Sequence, residues 1–455
     1  MLPLVAIILS AGQGARMRSR LPKVLHQLGG RTLLEFVIDV AIKINSEKIH
    51  VVYGYGGERV KAAFSYLPID INWVYQSSQL GTGHAVKQVM PHITSEALVL
   101  ILYGDVPLVK IETLTEVISK AGKQSIGLVT AQLLDPTGYG RITRDTYGRV
   151  TGIIEEKDAH NDERNITEIN TGIMVVPASL LRSWAGSLTQ SNAQREFYLT
   201  DIIKLAVQDG ISVETVTPKS VEETLGVNDR IQLAHLERYY QKEQANLLME
   251  SGVTLRDPTR LDIRGDIAVG QDVTIDVNVV LEGKIVIGSG VNIGPNTYIR
   301  DTEIGEDTHI QANCVLEEAI IGRNCRIGPF SRIRPDTQLA EHVHIGNFVE
   351  IKKSNIKEGS KINHLTYIGD AQVGCDVNVG AGTVTCNYDG TQKHFTEIKD
   401  NVFIGSGTML VAPVTLGIAS TIGAGSTITK NTPPYRLTVE RSRQIAIKGW
   451  KRLVR

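Results

Sequence analysis

The chain has 455 residues, with 48 lysines and arginines against 49 aspartates and glutamates and a formal net charge of −1 at pH 7. That length allows two or three domains with sizeable cores, and the balanced charge offers no global field for nucleic acid or an acidic membrane. The longest apolar runs, Leu4 to Leu9 and Ala97 to Tyr103, are too short to span a bilayer, and the N-terminus lacks the basic and long apolar segments of a signal peptide. A cytoplasmic protein without nucleic-acid or membrane partners is the expectation. Its four cysteines, Cys314, Cys325, Cys375 and Cys386, form no CxxC pair and read as buried free thiols, not a zinc or redox centre.

Residues 1 to about 229 alternate short apolar runs with helical patterns: Val5 to Leu9, His50 to Tyr53, Ile71 to Tyr75, Leu98 to Leu102, Gly127 to Ala131 and Gly172 to Val176. Strands separated by helices predict an α/β domain around a mostly parallel sheet, with ligands at the carboxyl ends of the strands. Directly after the first run comes Leu9-Ser10-Ala11-Gly12-Gln13-Gly14-Ala15-Arg16-Met17, then Leu21-Pro22-Lys23. A glycine loop at a strand end lets backbone N–H groups approach phosphate oxygens, and Arg16 and Lys23 supply charge. The loop lacks the Gly-Lys-Ser/Thr of a Walker motif and the third glycine of GxGxxG.

From 230 to 251 the sequence is charged, helical and free of glycine and proline, which predicts a linker helix. From about Val269 to Ile428 an aliphatic residue recurs at nearly every sixth position, as in Ile287, Ile293, Ile299 or Ile321, Ile327, Ile333, Leu339, Ile345, Ile351. Six fits neither a helix nor an ordinary strand, but three hexapeptides close one triangular coil of a parallel β-solenoid. Glycine often follows the aliphatic residue (Gly288, Gly294, Gly305, Gly322), where a positive φ at the corner is expected. Small or β-branched residues such as Val291, Thr308, Cys325 and Ser360 suit the inner wall. The final 25 residues leave the repeat, carry Pro433 and Pro434, and are expected to pack on a neighbour or fray.

The solenoid's polar exceptions carry its chemistry. Arg334, Lys352 and the segment Asn363 to Tyr367 fall about one coil apart, which predicts a basic stripe on nearly one face and hence an anion site. A neutral His364 beside it could take a proton from an attacking amine. The interval Ala381 to Phe403 breaks the repeat and reads as a protruding loop.

The N-terminal string resembles the nucleotidyltransferases that join a sugar 1-phosphate to a nucleoside triphosphate, whose signature is close to L-x-A-G-x-G-T-R-M followed by P-K. Ala15 stands where threonine is usual and Ser10 where alanine is usual. The resemblance implies that Leu9, Ser10, Ala11, Gly12, Lys23, Gln76, Gly81, Thr82, Tyr103 and Gly104 bind the nucleotide, and that Gly140, Glu155 and Asn170 read the sugar. Asp105 and Asn228 would hold Mg²⁺, while Arg16 and Lys23 neutralise charge as a sugar-phosphate oxygen displaces pyrophosphate from UTP.

The solenoid resembles the hexapeptide-repeat acyltransferases, which implies a left-handed β-helix and a homotrimer. Both halves in this order resemble the bifunctional N-acetylglucosamine-1-phosphate uridyltransferases that are also glucosamine-1-phosphate N-acetyltransferases. That resemblance makes His364 the general base, gives Arg334, Lys352, Tyr367 and Asn378 the amino-sugar phosphate, and assigns acetyl-CoA to Ala381, Asn387, Tyr388, Lys393, Ser406, Ala424 and Arg441. Arg195 stands where glycine is usual, and Glu440 where a small residue is. Two rival readings are a uridylyltransferase whose solenoid only trimerises or regulates, and a nucleotide-sugar binding protein without turnover. The first has no use for stacked Arg334, Lys352 and His364, and the second none for Asp105 with Asn228.

Overall fold

The computed structural model describes residues 2–67 and 69–452. The chain divides into two compact units, 1–240 and 241–455, inside the helix Arg230–Glu250. The expected end of the first domain at 229 lies about three helical turns earlier. The first part of the helix packs in the first unit, where the Tyr240 ring meets Phe36 edge-on at 5.6 Å and the Glu237 carboxylate accepts the Gly29 N–H at 2.8 Å. In the second unit, the Gln241 amide exchanges two hydrogen bonds of 2.7 Å with the backbone of Ile263.

The first unit is a Rossmann-like α/β fold. Its sheet contains β1 (Leu4–Ser10), β2 (Lys48–Tyr53), β3 (Ile71–Tyr75), β4 (Leu98–Tyr103), β5 (Ser125–Gln132), β6 (Gly140–Arg144), β7 (Val150–Ile154), β8 (Glu168–Pro177) and β9 (Ser212–Val216). The order is β9-β5-β8-β4-β1-β2-β3, parallel except for β8, and the β6–β7 hairpin joins through β8. Central strands are near-continuous apolar runs because helices cover both faces. The six predicted runs correspond to β1, β2, β3, β4, β5 and β8; β6, β7 and β9 were not expected, because all three are short, β6 and β9 are half polar, and Gly152 interrupts β7. Between β4 and β5 the helix Ile111–Lys120 packs on β5, and the sheet's carboxyl edge is left for β1, β4 and their loops.

The second unit is a left-handed parallel β-helix with three strands per coil and a register step of 17 or 18 residues, which lengthens to 25 where a loop is inserted and shortens to 16 at the last pairing. The ladder starts at Thr254–Leu255 and ends at Leu437–Thr438, so it runs beyond the predicted repeat at both ends. Thr438 pairs with Ile422 past the two prolines, and only after it does the tail become exposed coil. Residues 453–455 lie outside the described part. Every repeat position from Ile287 to Ile428 named above is at most 3% exposed, and truncating one to alanine would cost about 2–5 kcal/mol.

Three expectations are corrected here. Gly288, Gly294, Gly305 and Gly322 do not take a positive φ; a Cβ on them would lie 2.6–2.8 Å from the backbone of the next coil, so they are glycine to let coils approach. The left-handed corner positions fall instead to Asn and Asp, such as Asn278, Asn296, Asp307, Asn313 and Asn324, whose short polar side chains tolerate it. The predicted loop 381–403 shrinks to 387–395, since Val384–Cys386 and Thr396–Ile398 stay in the ladder. Buried Thr385 and Thr396 occupy inner positions there, which hid the repeat. Cys314 and Cys325 are buried as expected, but Cys375 and Cys386 are only half-buried; all four are free thiols.

Candidate active sites

At the end of β1 the chain turns through the glycine loop. Gly14 has φ +64°, and a Cβ on it would sit 2.6 Å from the Lys23 Cβ, so glycine here lets the lysine stem pack against the loop. The Lys23 ammonium then reaches the Asp105 carboxylate just beyond β4. The same ammonium is 3.3 Å from Asn228 Oδ1, which also accepts from Arg16 Nη2 at 2.9 Å. Four side chains from distant segments thus meet at one point.

A cavity of about 400 Å³ opens beside them, lined by Leu9, Ser10, Ala11, Gly12, Lys23, Gln76, Gly81, Thr82, Tyr103 and Asp105, together with Val24, Gln79, Ala85 and Glu196. The last four were not singled out in the sequence. A Cβ on Gly12 would meet nothing, which leaves the loop backbone open to a ligand. Buried Gln76 is oriented by the Gly81 carbonyl at 3.3 Å and His84 Nδ1 at 2.9 Å, and Gln79 Nε2 holds the loop through the Ala11 carbonyl at 2.8 Å. Only the local QLGTGHA context could have pointed to His84. The Ser10 hydroxyl is buried and has no hydrogen-bond partner among the described residues. Gly104 faces it closely; a Cβ there would lie 3.0 Å from Ser10 Oγ.

Gly140, Glu155 and Asn170 form the adjoining wall. Asn170 pairs with Gly140 across the ladder and its Oδ1 accepts the Gly172 N–H at 3.0 Å. Gly172, at φ +85°, leaves space that the Tyr103 ring fills. Thr200 donates to Glu155 Oε1 at 2.8 Å, while burial, then the like charges of Asp201, Asp158 and Glu196, push the Glu155 carboxyl up. Tyr103 lines the cavity and also packs on Gly172, so it joins the two walls; burial, then Glu155 and Asp105, push its phenol up. Tyr139, directly before Gly140, was not singled out in the sequence; burial and then Asp105 raise its phenol as well.

In the β-helix the register sorts the predicted residues into columns. One column reads Arg264, Glu282, Arg300, Glu317, Arg334, Lys352, Gly369, one residue per coil. Charge alternates along it until Arg334 and Lys352, the one pair of like charges in succession. Arg334 is held by Glu350 at 2.7 Å and Lys352 by Asp370 at 3.2 Å. The Tyr367 phenol lies over Gly369, filling the next rung.

His364 does not share that face. It stacks on Asn347 in the other sheet, and the Asn347 amide oxygen accepts from its Nδ1 at 3.0 Å. Asn378 also lies in that sheet, in the column of Lys361. The single basic face predicted from an 18-residue coil is therefore two faces meeting at the corner Leu365, because the repeat alone does not say where a corner falls. The His364 column continues through Ala381, Ser406 and Ala424 to Glu440, as the bonds Gly382 N to His364 O, Gly407 N to Ala381 O and Gly425 N to Ser406 O show. Arg441 Nη1 caps it on the Ala424 carbonyl at 2.8 Å, while the Glu440 carboxylate is engaged by Thr427 N at 3.2 Å.

The loop 387–395 rises beside Lys352. Asn387 Nδ2 bonds the same Asp370 oxygen as Lys352, Tyr388 bridges to Lys393, and the Lys352 ammonium pushes the Lys393 amine down. Asp370 was not foreseen; only its place after Gly369 at a corner marks it. Among the described residues no three His, Cys, Asp or Glu side chains cluster as a metal site, and no helix is long and apolar enough to cross a membrane.

Residues 6–159 match the MobA-like NTP transferase domain, 263–346 the GMPPB C-terminal domain, and 396–430 the hexapeptide repeat of succinyl-transferase. The Bifunctional protein GlmU of Methylococcus capsulatus is 55% identical over 449 residues, covering 98% of this chain and 97% of that one. Those of Nitrosospira multiformis and Aromatoleum aromaticum are each 54% identical, covering 99% of this chain and 97% and 98% of theirs. With likeness on this scale over both units and both sites, the chain belongs to the family of bifunctional GlmU transferases.

Proposed function

We propose that the β-helix acetylates glucosamine 1-phosphate with acetyl-CoA, and that the α/β unit then joins the N-acetylglucosamine 1-phosphate to UTP with release of pyrophosphate. The observation that carries the first step is the break in the charge ladder. Arg334 and Lys352 stack without an intervening carboxylate in their column, beside Tyr367; Glu350 and Asp370 orient them from the side, and a sugar phosphate takes up the donors that those single contacts leave over. Across the corner, the Asn347 oxygen fixes Nδ1 of His364 as the donor, which leaves Nε2 with a free lone pair. Nε2 takes the proton from the amine as its nitrogen attacks the thioester carbonyl, and returns it to the sulfur as the C–S bond breaks, so that coenzyme A leaves as thiol. Ala381, Ser406 and Ala424 make a small-residue track for acetyl-CoA along the His364 column, with Asn387, Tyr388, Lys393 and Arg441 at its sides. Asn378 reaches the sugar phosphate from the same sheet as His364.

In the α/β unit, the convergence of the Asp105 and Asn228 oxygens on one ammonium supports a cation site there. A carboxylate with an amide oxygen also matches the few protein ligands that Mg²⁺ takes alongside substrate phosphates. The residues present therefore fit the ion. When bound, Mg²⁺ would supply charge neutralisation between the phosphates. Arg16 and Lys23 stabilise the charge that develops as a sugar-phosphate oxygen bonds the α-phosphorus and pyrophosphate departs. No general base is needed because that oxygen is already ionised.

A homotrimer is supported by an exposed apolar column at the corner of the β-helix. Phe330 and Phe348 stack at 5.4 Å, and Leu365 follows one coil on, each at least half exposed. Such a patch calls for cover by another copy. A monomeric variant that still acetylates would overturn the trimer as a requirement for that reaction.

The direct test is thiol release from acetyl-CoA with glucosamine 1-phosphate, in the parent and in a folded His364→Ala variant. Release that collapses in the variant supports the base assignment; release that persists removes it.

A further inference from the structure

We infer that Asp370 is a positioning residue that couples the two substrate sites of the acetyltransferase, an inference that rests on the residue roles proposed above. Asp370 is only 8% exposed, at the corner that follows Gly369, with φ +47°. One of its carboxylate oxygens, Oδ2, is shared. It accepts from Lys352 Nζ at 3.2 Å and from Asn387 Nδ2. Lys352 belongs to the sugar-phosphate column, whereas Asn387 opens the loop 387–395 on the acetyl-CoA side. The backbone repeats the link: Asp370 N donates to the Lys352 carbonyl at 3.0 Å, and the Asp370 carbonyl accepts Thr396 N, where the loop re-enters the ladder, at 3.1 Å.

A charge this buried must be paired, and here both its side-chain partners are binding residues. When a phosphate draws on the Lys352 ammonium, the lysine's hold on the shared oxygen weakens and the carboxylate accepts more strongly from Asn387. Asn387 is itself only 8% exposed and starts the segment that the Tyr388–Lys393 bridge closes. Sugar phosphate therefore stiffens the acetyl-CoA loop, and by reciprocity acetyl-CoA strengthens the hold on sugar phosphate. Asp370 touches neither substrate in this account. Its effect passes through Lys352 and Asn387.

The test measures coenzyme A binding to the full-length protein with and without saturating glucosamine 1-phosphate, and then the reverse. In the parent, each ligand should tighten the other by the same factor, about 5–10-fold, at the low end of the usual range for coupled sites. In Asp370→Asn that factor should fall to one, with KM for both substrates raised and kcat changed less. Asn387→Ala keeps the Lys352–Asp370 pair and should lose the coupling too, so misfolding of the first variant does not end the test. If the parent binds both ligands with no mutual effect, or if Asn387→Ala and a folded Asp370→Asn keep the parent's factor, the inference fails while the acetyltransferase reading stands. A parent that binds neither ligand overturns both.

Discussion

The two units build their sites in opposite ways. The α/β unit assembles one from residues that share no period: Arg16, Lys23, Asp105 and Asn228 arrive from a glycine loop, a short turn, a strand end and the approach to a helix. The β-helix holds its fold by sameness, one coil on the next, and its site is where the sameness stops. Arg334 and Lys352 end the alternation of charge, Asp370 takes a corner, and 387–395 leaves the ladder. Where a fold has no repeat, chemistry is found by motif; where it has one, chemistry is found by exception.

Lys23→Ala should break the first site most. It removes the cation that bridges Asp105 and Asn228, and loss of a preorganised charge at a phosphoryl transfer costs about 10²–10³-fold in rate. Acetyl transfer, in the other unit, should be unchanged. Assaying both reactions on one preparation checks this, and a loss in both would show that the units are not independent.

Two changes in the same column sharpen the idea of an exception. Arg334→Ala should raise KM for glucosamine 1-phosphate about 10–100-fold, the value of one charge-assisted hydrogen bond to phosphate. Glu317→Gln, one coil earlier, removes a carboxylate that pairs with Arg300 and Arg332 at 3.1 and 3.4 Å, and should leave both activities intact at a cost of about 1 kcal/mol or less. Equal kinetic effects would mean that the whole column binds substrate.

Acid should separate the units by stability. Among the described residues the buried histidines, His26 and His50, both lie in the first unit. Burial, then His92 and Lys48, lower the His50 pKa to about 4. With its folded pKa below the unfolded one, the unfolded chain binds the extra proton between about pH 6.5 and 4, so stability falls as pH falls through that window, by about 2–3 kcal/mol. Calorimetry at pH 7 and 5 should show the first unit's transition moving down, less so in His50→Gln. A shift of the β-helix transition alone would contradict this.

How much was legible follows from the same contrast. The six-residue period fixed the inner wall, because burial inside a narrow prism admits only aliphatic or small side chains, and the glycine loop through Lys23 marked the first site. The corners were not legible: a period says how often the chain turns, not which residue turns, so His364 was placed on the face of Lys352 although Leu365 stands between them. Glycine was misread for a related reason. Its absent Cβ and its free φ leave the same letter in a sequence, and only the coil spacing at Gly288 or Gly305 tells which is used. Asn347 and Glu350 stand out in the sequence as polar exceptions without a role, and Asp370 does not stand out at all, because a residue that orients another has no spacing rule.

The smallest effect is expected at Arg195, the position where the resemblance to the sugar nucleotidyltransferases implies glycine. Its φ is +55°, and a left-handed arginine costs about 1–2 kcal/mol. The turn is otherwise well tied: Asn192 brackets Glu196 with bonds of 3.1 and 2.6 Å, and Phe197 exchanges backbone bonds of 2.8 Å with Leu80 and Gly83 at the nucleotide wall. Arg195→Gly relieves the strain but loosens the unfolded chain by about 0.5–1 kcal/mol. The net gain should be up to about 1 kcal/mol, a rise of about 2–4 °C in Tm for a unit of this size. A fall in Tm would mean that the exposed arginine makes contacts worth more than its backbone costs. An unchanged KM for UTP alongside the gain would show that the turn is held by Asn192 and Phe197, and that glycine at this position serves folding and not nucleotide binding.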